Sequence, residues 1–259
     1  ARQVLRALQL GKHVFCEKPM TRYLSEAFQV YDAVKKSGKT YVIGSQGCMD
    51  RKWHQAAEWI KAGKLGPLVW GQGSYCRNNK KNSEWTFPVD PDVNEQNLDW
   101  NRWLGRAPKI PFNPDHYFSW HKYYAYNSGI IGNLLPHRFY PLMLATGEPE
   151  FPRRVVATGT RKVSTDRDIT DTTHLLAEFP SGLTLVAVGT TVNEQGLPEV
   201  LRGRKATLHF SSSQNRVELK PEAIFTDELD AEEFSHPQAT EGIPGLEKHF
   251  FDCIRTGKM

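Results

Sequence analysis

The chain has 259 residues, 39% hydrophobic and 24% charged, long enough to bury a real core and ordinary for a globular protein. Its formal net charge of +4 is scattered: Arg77, Lys80 and Lys81 form a small basic cluster and Asp227, Glu228, Asp230, Glu232 and Glu233 an acidic one, and neither makes a nucleic-acid stripe. No apolar run approaches membrane-span length, and Cys16, Cys48, Cys76 and Cys253 lack zinc or disulfide-framework spacing, so nucleic acid, membrane and metal are not expected as partners.

Val4, Leu5, Ala7, Leu8 and Leu10 predict an amphipathic helix stopped by Gly11. The apolar run His13 to Cys16 then ends abruptly in Glu17-Lys18-Pro19, the pattern of a buried parallel strand feeding a polar turn. A second helix is predicted over Leu24 to Lys36, with Ser25 or Thr21 as its cap and Gly38 as its stop, and a second strand over Thr40 to Gly44. Helix, strand, helix, strand is the repeating unit of a doubly wound parallel sheet. Two such units cannot complete that sheet, so its first half is expected upstream of residue 1.

After Gly44 the pattern changes. Arg51 to Ala62 reads as a helix and Leu68 to Cys76 as a strand, followed by a long segment over 77–127, rich in Asn, Pro and aromatics, with one short helix near Leu98 to Leu104. Long segments of this kind are usually functional. Ile130 to Ala145 reads as helical, with Pro136 kinking it or marking a boundary. Strands are predicted over Arg154 to Arg161, Thr172 to Phe179, Leu183 to Val192, Glu199 to Arg202, Ala206 to Phe210 and Arg216 to Leu219, with a hairpin turn at Pro180-Ser181-Gly182. A last helix runs from about Leu246 to Arg255. The expected architecture is α/β plus α+β: residues 1–45 as the C-terminal part of a Rossmann-type domain, and 46–259 as a domain on a large, open, mostly antiparallel sheet flanked by helices. An open sheet needs a cover, and a homodimer or homotetramer through it is expected.

The stretch Gly11-Lys12-His13-Val14-Phe15-Cys16-Glu17-Lys18-Pro19 resembles the E-K-P segment of the Gfo/Idh/MocA oxidoreductase family. Further matches follow in order. Ile43-Gly44-Ser45-Gln46 resembles the next strand and turn. Leu98-Asp99-Trp100-Asn101-Arg102-Trp103-Leu104-Gly105 is similar to the L-D-W-x-x-W-L-G stretch of one bacterial branch, and Tyr117 to Tyr123 to its aromatic-basic segment. The family's G-G-x-x-x-D-x-x-x-H-x-x-D stretch falls on Ser128 to Tyr140, where His137 is kept but Asn133 and Tyr140 stand in acidic positions.

The resemblance implies an NAD- or NADP-dependent oxidoreductase acting on a sugar, polyol or sugar derivative. His137 takes the hydroxyl proton, and Lys18, at the carboxyl end of a parallel strand, orients the substrate oxygen. Glu17, Lys18, Pro19 and Gln46 border the cofactor, and the Lys18–Pro19 bond is expected to be cis. Trp120, Lys122, Tyr126, Asn133 and Tyr140 are the expected substrate contacts. Two alternatives stay open: a glycosidase that oxidises its substrate transiently, and a non-catalytic sugar or dinucleotide sensor on the same fold. A cytoplasmic setting is expected, with export left open because the sequence before residue 1 is unknown.

Overall fold

The computed structural model describes residues 1–81, 84–237 and 242–258. The first unit runs α1 (Arg2–Gln9), β1 (Val14–Glu17), α2 (Leu24–Ser37) and β2 (Tyr41–Gly44). Val4 and Leu8 of α1 and Val30 of α2 share one apolar cluster, so both helices turn their periodic faces to the same side. β1 and β2 pair in parallel, with Val14 opposite Tyr41 and Glu17 opposite Gly44. α2 stops where expected, at Gly38 in the left-handed conformation, φ 61°. Its expected side-chain cap is not formed: Tyr23 holds the cap position, and the Thr21 hydroxyl donates to the Tyr23 carbonyl instead.

The second unit is built on eight strands. β3 (Leu68–Cys76), β4 (Arg154–Thr160), β5 (Thr172–Glu178), β6 (Thr184–Thr190), β7 (Glu199–Gly203), β8 (Ala206–Phe210), β9 (Arg216–Pro221) and β10 (Glu232–Ser235) assemble in the order β10-β9-β8-β7-β3-β6-β5-β4. Only the β3–β6 pair is parallel, a consequence of the chain leaving the sheet after β3 and returning for β4. The Pro180-Ser181-Gly182 turn joins β5 to β6 as an antiparallel hairpin, with Gly182 at φ 91°. β10 was not anticipated; its residues, Glu232, Glu233, Phe234 and Ser235, carry little strand signal, and pairing with β9 holds them.

One face of the sheet is covered by α3 (Arg51–Lys61), α6 (Gly129–Asn133) and α7 (Pro136–Ala145). Trp53 of α3 stacks on Phe210 of β8 at 4.3 Å, and Leu135 and Leu142 share a fully buried cluster with Leu185, Leu201 and Leu208. Of the two alternatives for the helical stretch over Ile130 to Ala145, Pro136 marks a boundary: there are two helices, α6 and α7, and Pro136 has a φ suited to opening the second. In the 77–127 segment lie α4 (Trp100–Leu104), close to the predicted short helix, and α5 (Pro114–Phe118), which the sequence reading left out; the Asn113 side chain caps it, accepting from the Asp115 and His116 amides. The last helix, α8 (Gly242–Thr256), packs back on β2, and its Phe250 meets Phe15 of β1 at 5.8 Å. It therefore sits with the first unit although it lies in the 46–259 part. No helix among the described residues is long and apolar enough to cross a membrane.

Two glycines let the helices seat on the sheet. A Cβ at Gly189 would lie 2.2 Å from Ile130 Cγ2, and one at Gly73 3.2 Å from Leu142 Cδ1. Gly189→Ala should thus push α6 off β6, and we expect a loss of about 1–3 kcal/mol in urea unfolding, the range for an overpacked core. A midpoint and slope equal to the parent's would refute this account of how α6 is seated.

Candidate active site

β1 delivers Glu17 to the carboxyl end of the parallel pair, and the chain turns there through a cis Lys18–Pro19 peptide. The Lys18 ammonium donates to the Asn133 carbonyl, Nζ to O 2.6 Å, across 115 positions of sequence. That oxygen is available for a local reason. It ends α6; Pro136 has no N–H, and the His137 amide bonds Leu134 rather than Asn133. An orphan carbonyl at a helix C-terminus is a natural partner for a cation. Pro19 lies along the same helix, its Cγ 3.9 Å from where a Cβ would stand on Gly132.

His137, in the first turn of α7, has its ring 5.7 Å from that of Tyr75 on β3. Burial, and then the charges of Lys18, Arg138 and Arg77, push its imidazole down to about 4. The Lys18 ammonium is itself lowered, chiefly by burial and also by Arg77, with Glu17 opposing. Lys18 and His137 are therefore brought into one electrostatic neighbourhood. Arg77 enters at the end of β3: it pairs with Glu84 at 2.5 Å and lies over the rings of Tyr75 and Trp85 at 5.7 and 5.8 Å. Its Nε is buried and has no hydrogen-bond partner among the described residues. Trp85 holds a positive φ of 60°, a costly conformation for a bulky residue and one that tends to mark functional sites.

A second imidazole joins the cluster, and the sequence reading passed over it. His121 is sandwiched between Trp120 at 3.6 Å and Trp85 at 5.9 Å. Its Nδ1 is buried with no hydrogen-bond partner among the described residues. Burial, Lys18 and Arg77 push it down to about 4. The available signal was its place in the Tyr117 to Tyr123 stretch, where Trp120 and Lys122 drew attention instead.

The other expected site residues divide. The Glu17 carboxylate lies over Gly44, where a Cβ would stand 2.6 Å from Oε2. Gln46 opens a half-buried 3-10 turn, Gln46–Met49, just past β2. Burial raises the pKa of the Tyr140 hydroxyl, with the Met20 backbone opposing. The Asn133 side chain is buried and directed into its own helix, Nδ2 donating to Asn127 Oδ1 and Gly129 O at 3.0 Å; its backbone carbonyl, rather than its amide, serves the site. Lys122 is 5% exposed, and its ammonium pairs with Asp115 at 2.9 Å and Asp166 at 3.4 Å. Its charge is met inside the protein by these two carboxylates. Trp120 and Tyr126 line a neighbouring cavity of about 330 Å³. The Tyr126 hydroxyl is 2.9 Å from His116 Nδ1. Arg138 donates from Nε to the Ser74 carbonyl at 2.9 Å and pairs with the buried Glu199 at 3.3 Å. Among the described residues no group of His, Cys, Asp and Glu could hold a metal ion.

Both imidazoles bind protons more weakly when folded, so between pH about 4 and the ordinary 6.5 the unfolded chain holds more protons than the folded one. Stability should fall progressively as pH drops from 6.5 toward 4, and the His121→Gln/His137→Gln double variant should show a shallower fall across that window in urea unfolding. Parallel pH curves for variant and parent would contradict the burial assigned to these rings.

Residues 1–45 match the Gfo/Idh/MocA model, an oxidoreductase family with an NAD-binding Rossmann fold. An uncharacterized oxidoreductase of Schizosaccharomyces pombe is 36% identical over 66 residues, covering 26% of this chain and 18% of the relative. Inositol 2-dehydrogenase 3 of Saccharopolyspora erythraea is 28% identical over 109 residues, 40% of this chain and 31% of the relative. The crystal structure of levoglucosan dehydrogenase in complex with NADH superposes with a TM-score of 0.69 at 17% identity, over 99% of this chain and 68% of that one, a likeness of fold. The matches span less than a third of these curated relatives' lengths.

Proposed function

We propose that the chain serves the NAD(P)-dependent oxidation of a carbinol on a sugar, polyol or sugar derivative, a reading supported by the match of residues 1–45 to the Gfo/Idh/MocA family of oxidoreductases. The observation that carries this reading is the bond from Lys18, on the turn after β1, to the Asn133 carbonyl at the end of α6, just before the helix that carries His137. Carbohydrate is supported as the substrate class by the names of the relatives, which include inositol and levoglucosan dehydrogenases.

The residues present fit the nicotinamide end of the dinucleotide. The carboxyl ends of β1 and β2 are where open α/β sheets take ligands, and Glu17, Lys18, Pro19 and Gln46 border that place. The orphaned Nδ1 of His121, buried beside the charges of Lys18 and Arg77, is a polar atom for a bound ligand to satisfy. The hydride acceptor is the nicotinamide when bound. Lys18 keeps N–H donors beyond the one given to Asn133; aimed at the carbinol oxygen, they favour its alkoxide-like form as the proton leaves. His137, neutral at working pH, takes that proton. Its conjugate acid, half-buried and close to Lys18, Arg138 and Arg77, releases the proton readily to solvent. The Asn133 carbonyl holds Lys18 in place.

His137→Ala should lower kcat for cofactor reduction by about two to four orders of magnitude, and Lys18→Met by about two to three, measured with NAD and NADP against a panel of sugars and polyols. An unchanged kcat in either variant removes that residue from the mechanism.

Self-association as a homodimer or homotetramer through the uncovered sheet face belongs to the same proposal. Val156, Leu176 and Val186 form a cross-strand apolar row there, Val156 58% exposed and Leu176 36%, and β4 is exposed along its whole length. Light scattering should give a multiple of the chain mass, shifting to the monomer in Val156→Glu/Leu176→Glu; a monomeric parent would end this part of the proposal.

A further inference from the structure

A cavity of about 330 Å³ lies between the turn that follows Pro19 and α4, lined by Arg22, Tyr23, Trp103, Arg106, Trp120 and Tyr126 together with Ala107. Its volume is within the ~300–1,000 Å³ range of small-molecule sites. The aromatic walls are fixed from behind. Trp103 stacks on Trp100 at 4.9 Å with an 11° interplanar angle, and the Trp100 indole N–H donates to the Ile110 carbonyl at 2.8 Å. Tyr126 meets Trp103 at 4.6 Å, inclined 57°, so the two rings make a corner rather than a parallel slot. Trp120 connects the cavity to the candidate active site, since its ring stacks 3.6 Å from His121, the imidazole on which Lys18 acts.

Charge narrows what the cavity takes. No carboxylate lines it, so nothing there holds a cation. The Arg22 guanidinium donates to the carbonyls of Tyr124 and Ala125 and is spent on tying the post-Pro19 turn to the second unit, which weakens it as an anion trap. What remains is a rigid aromatic corner with polar groups at its rim, the surface that suits the C–H face and hydroxyl edge of a sugar ring.

We propose that this cavity is a second sugar subsite, adjoining the Lys18–His137 centre, which takes the ring glycosidically linked to the one being oxidised. The substrate class is then a disaccharide or other glycoside rather than a free monosaccharide. The inference rests on the carbohydrate reading above for the neighbouring centre, but not on the redox step.

The test is calorimetric titration of the protein with cellobiose, maltose and lactose against glucose and galactose. At least one disaccharide should bind about tenfold more tightly than its component monosaccharides, the scale of one aromatic stack. In Ala107→Phe, which fills the cavity without removing a wall, that ratio should fall to about one. Tyr23→Ala, at an exposed wall, should reduce it as well, and it covers the case in which the larger side chain prevents folding. A disaccharide that binds no tighter than its monosaccharides, or a preference that survives both substitutions, overturns the subsite. Failure of the redox reading looks different: a disaccharide preference sensitive to Ala107→Phe, with no cofactor reduced by any sugar, leaves the subsite standing and removes the dehydrogenase.

Discussion

The bond from Lys18 to the Asn133 carbonyl is the constraint on which the candidate site depends. It exists because α6 ends at Asn133, three residues before Pro136, and the His137 amide that would bond the Asn133 carbonyl in a continued helix bonds Leu134 instead, leaving that carbonyl for the turn after β1. Pro136 opens α7 with His137 in its first turn, while Asn133, the last residue of α6, supplies the acceptor that fixes Lys18. The two groups of the proposed chemistry are held to each other through backbone rather than through a mobile side-chain pair, which suits a site that must present fixed dipoles to a developing alkoxide.

Around that bond the site is cationic and half-buried. Burial first, and then the charges of Lys18, Arg138 and Arg77 on His137 and of Lys18 and Arg77 on His121, keep both imidazoles neutral well below physiological pH. In the family pattern an acid one turn before the histidine would oppose this. Here Asn133 stands there, its side chain turned inward to Asn127 and Gly129, and no carboxylate is among the causes that act on His137. The departure from the acidic pattern and the low basicity of the ring are two sides of one electrostatic fact.

The aromatic content of the 77–127 segment follows from its position. Beyond the bridge of Arg77 to Asn193, its described residues form no sheet ladder and are organised by ring contacts and caps: Trp100 on Trp103, His116 on Tyr123 at 3.7 Å, Asn113 at the start of α5. The buried Lys122 is the ionic centre of this segment, joined to Asp115 and Asp166, and its backbone carbonyl receives the amides of Asp168 and Ile169. Such a network gives uniqueness to a region with few aliphatic residues.

Local chemistry was legible in the sequence. Glycine and proline punctuation placed α1, α2, β1, β2 and the β5–β6 hairpin nearly where they stand, because those signals act within a few residues. The E-K-P turn and His137 were legible for the same reason, as short motifs on predicted elements. What the sequence by itself did not determine is which side chains are already spent. Lys122 and Asn133 look like ligand contacts until partners up to several elements away are known, and His121 and Arg138 look incidental until Trp85, Lys18 and Glu199 surround them. Burial, and with it the direction of each pKa, is a property of distant segments brought together, so only the tertiary structure decided which charges face the cleft and which are consumed in holding it.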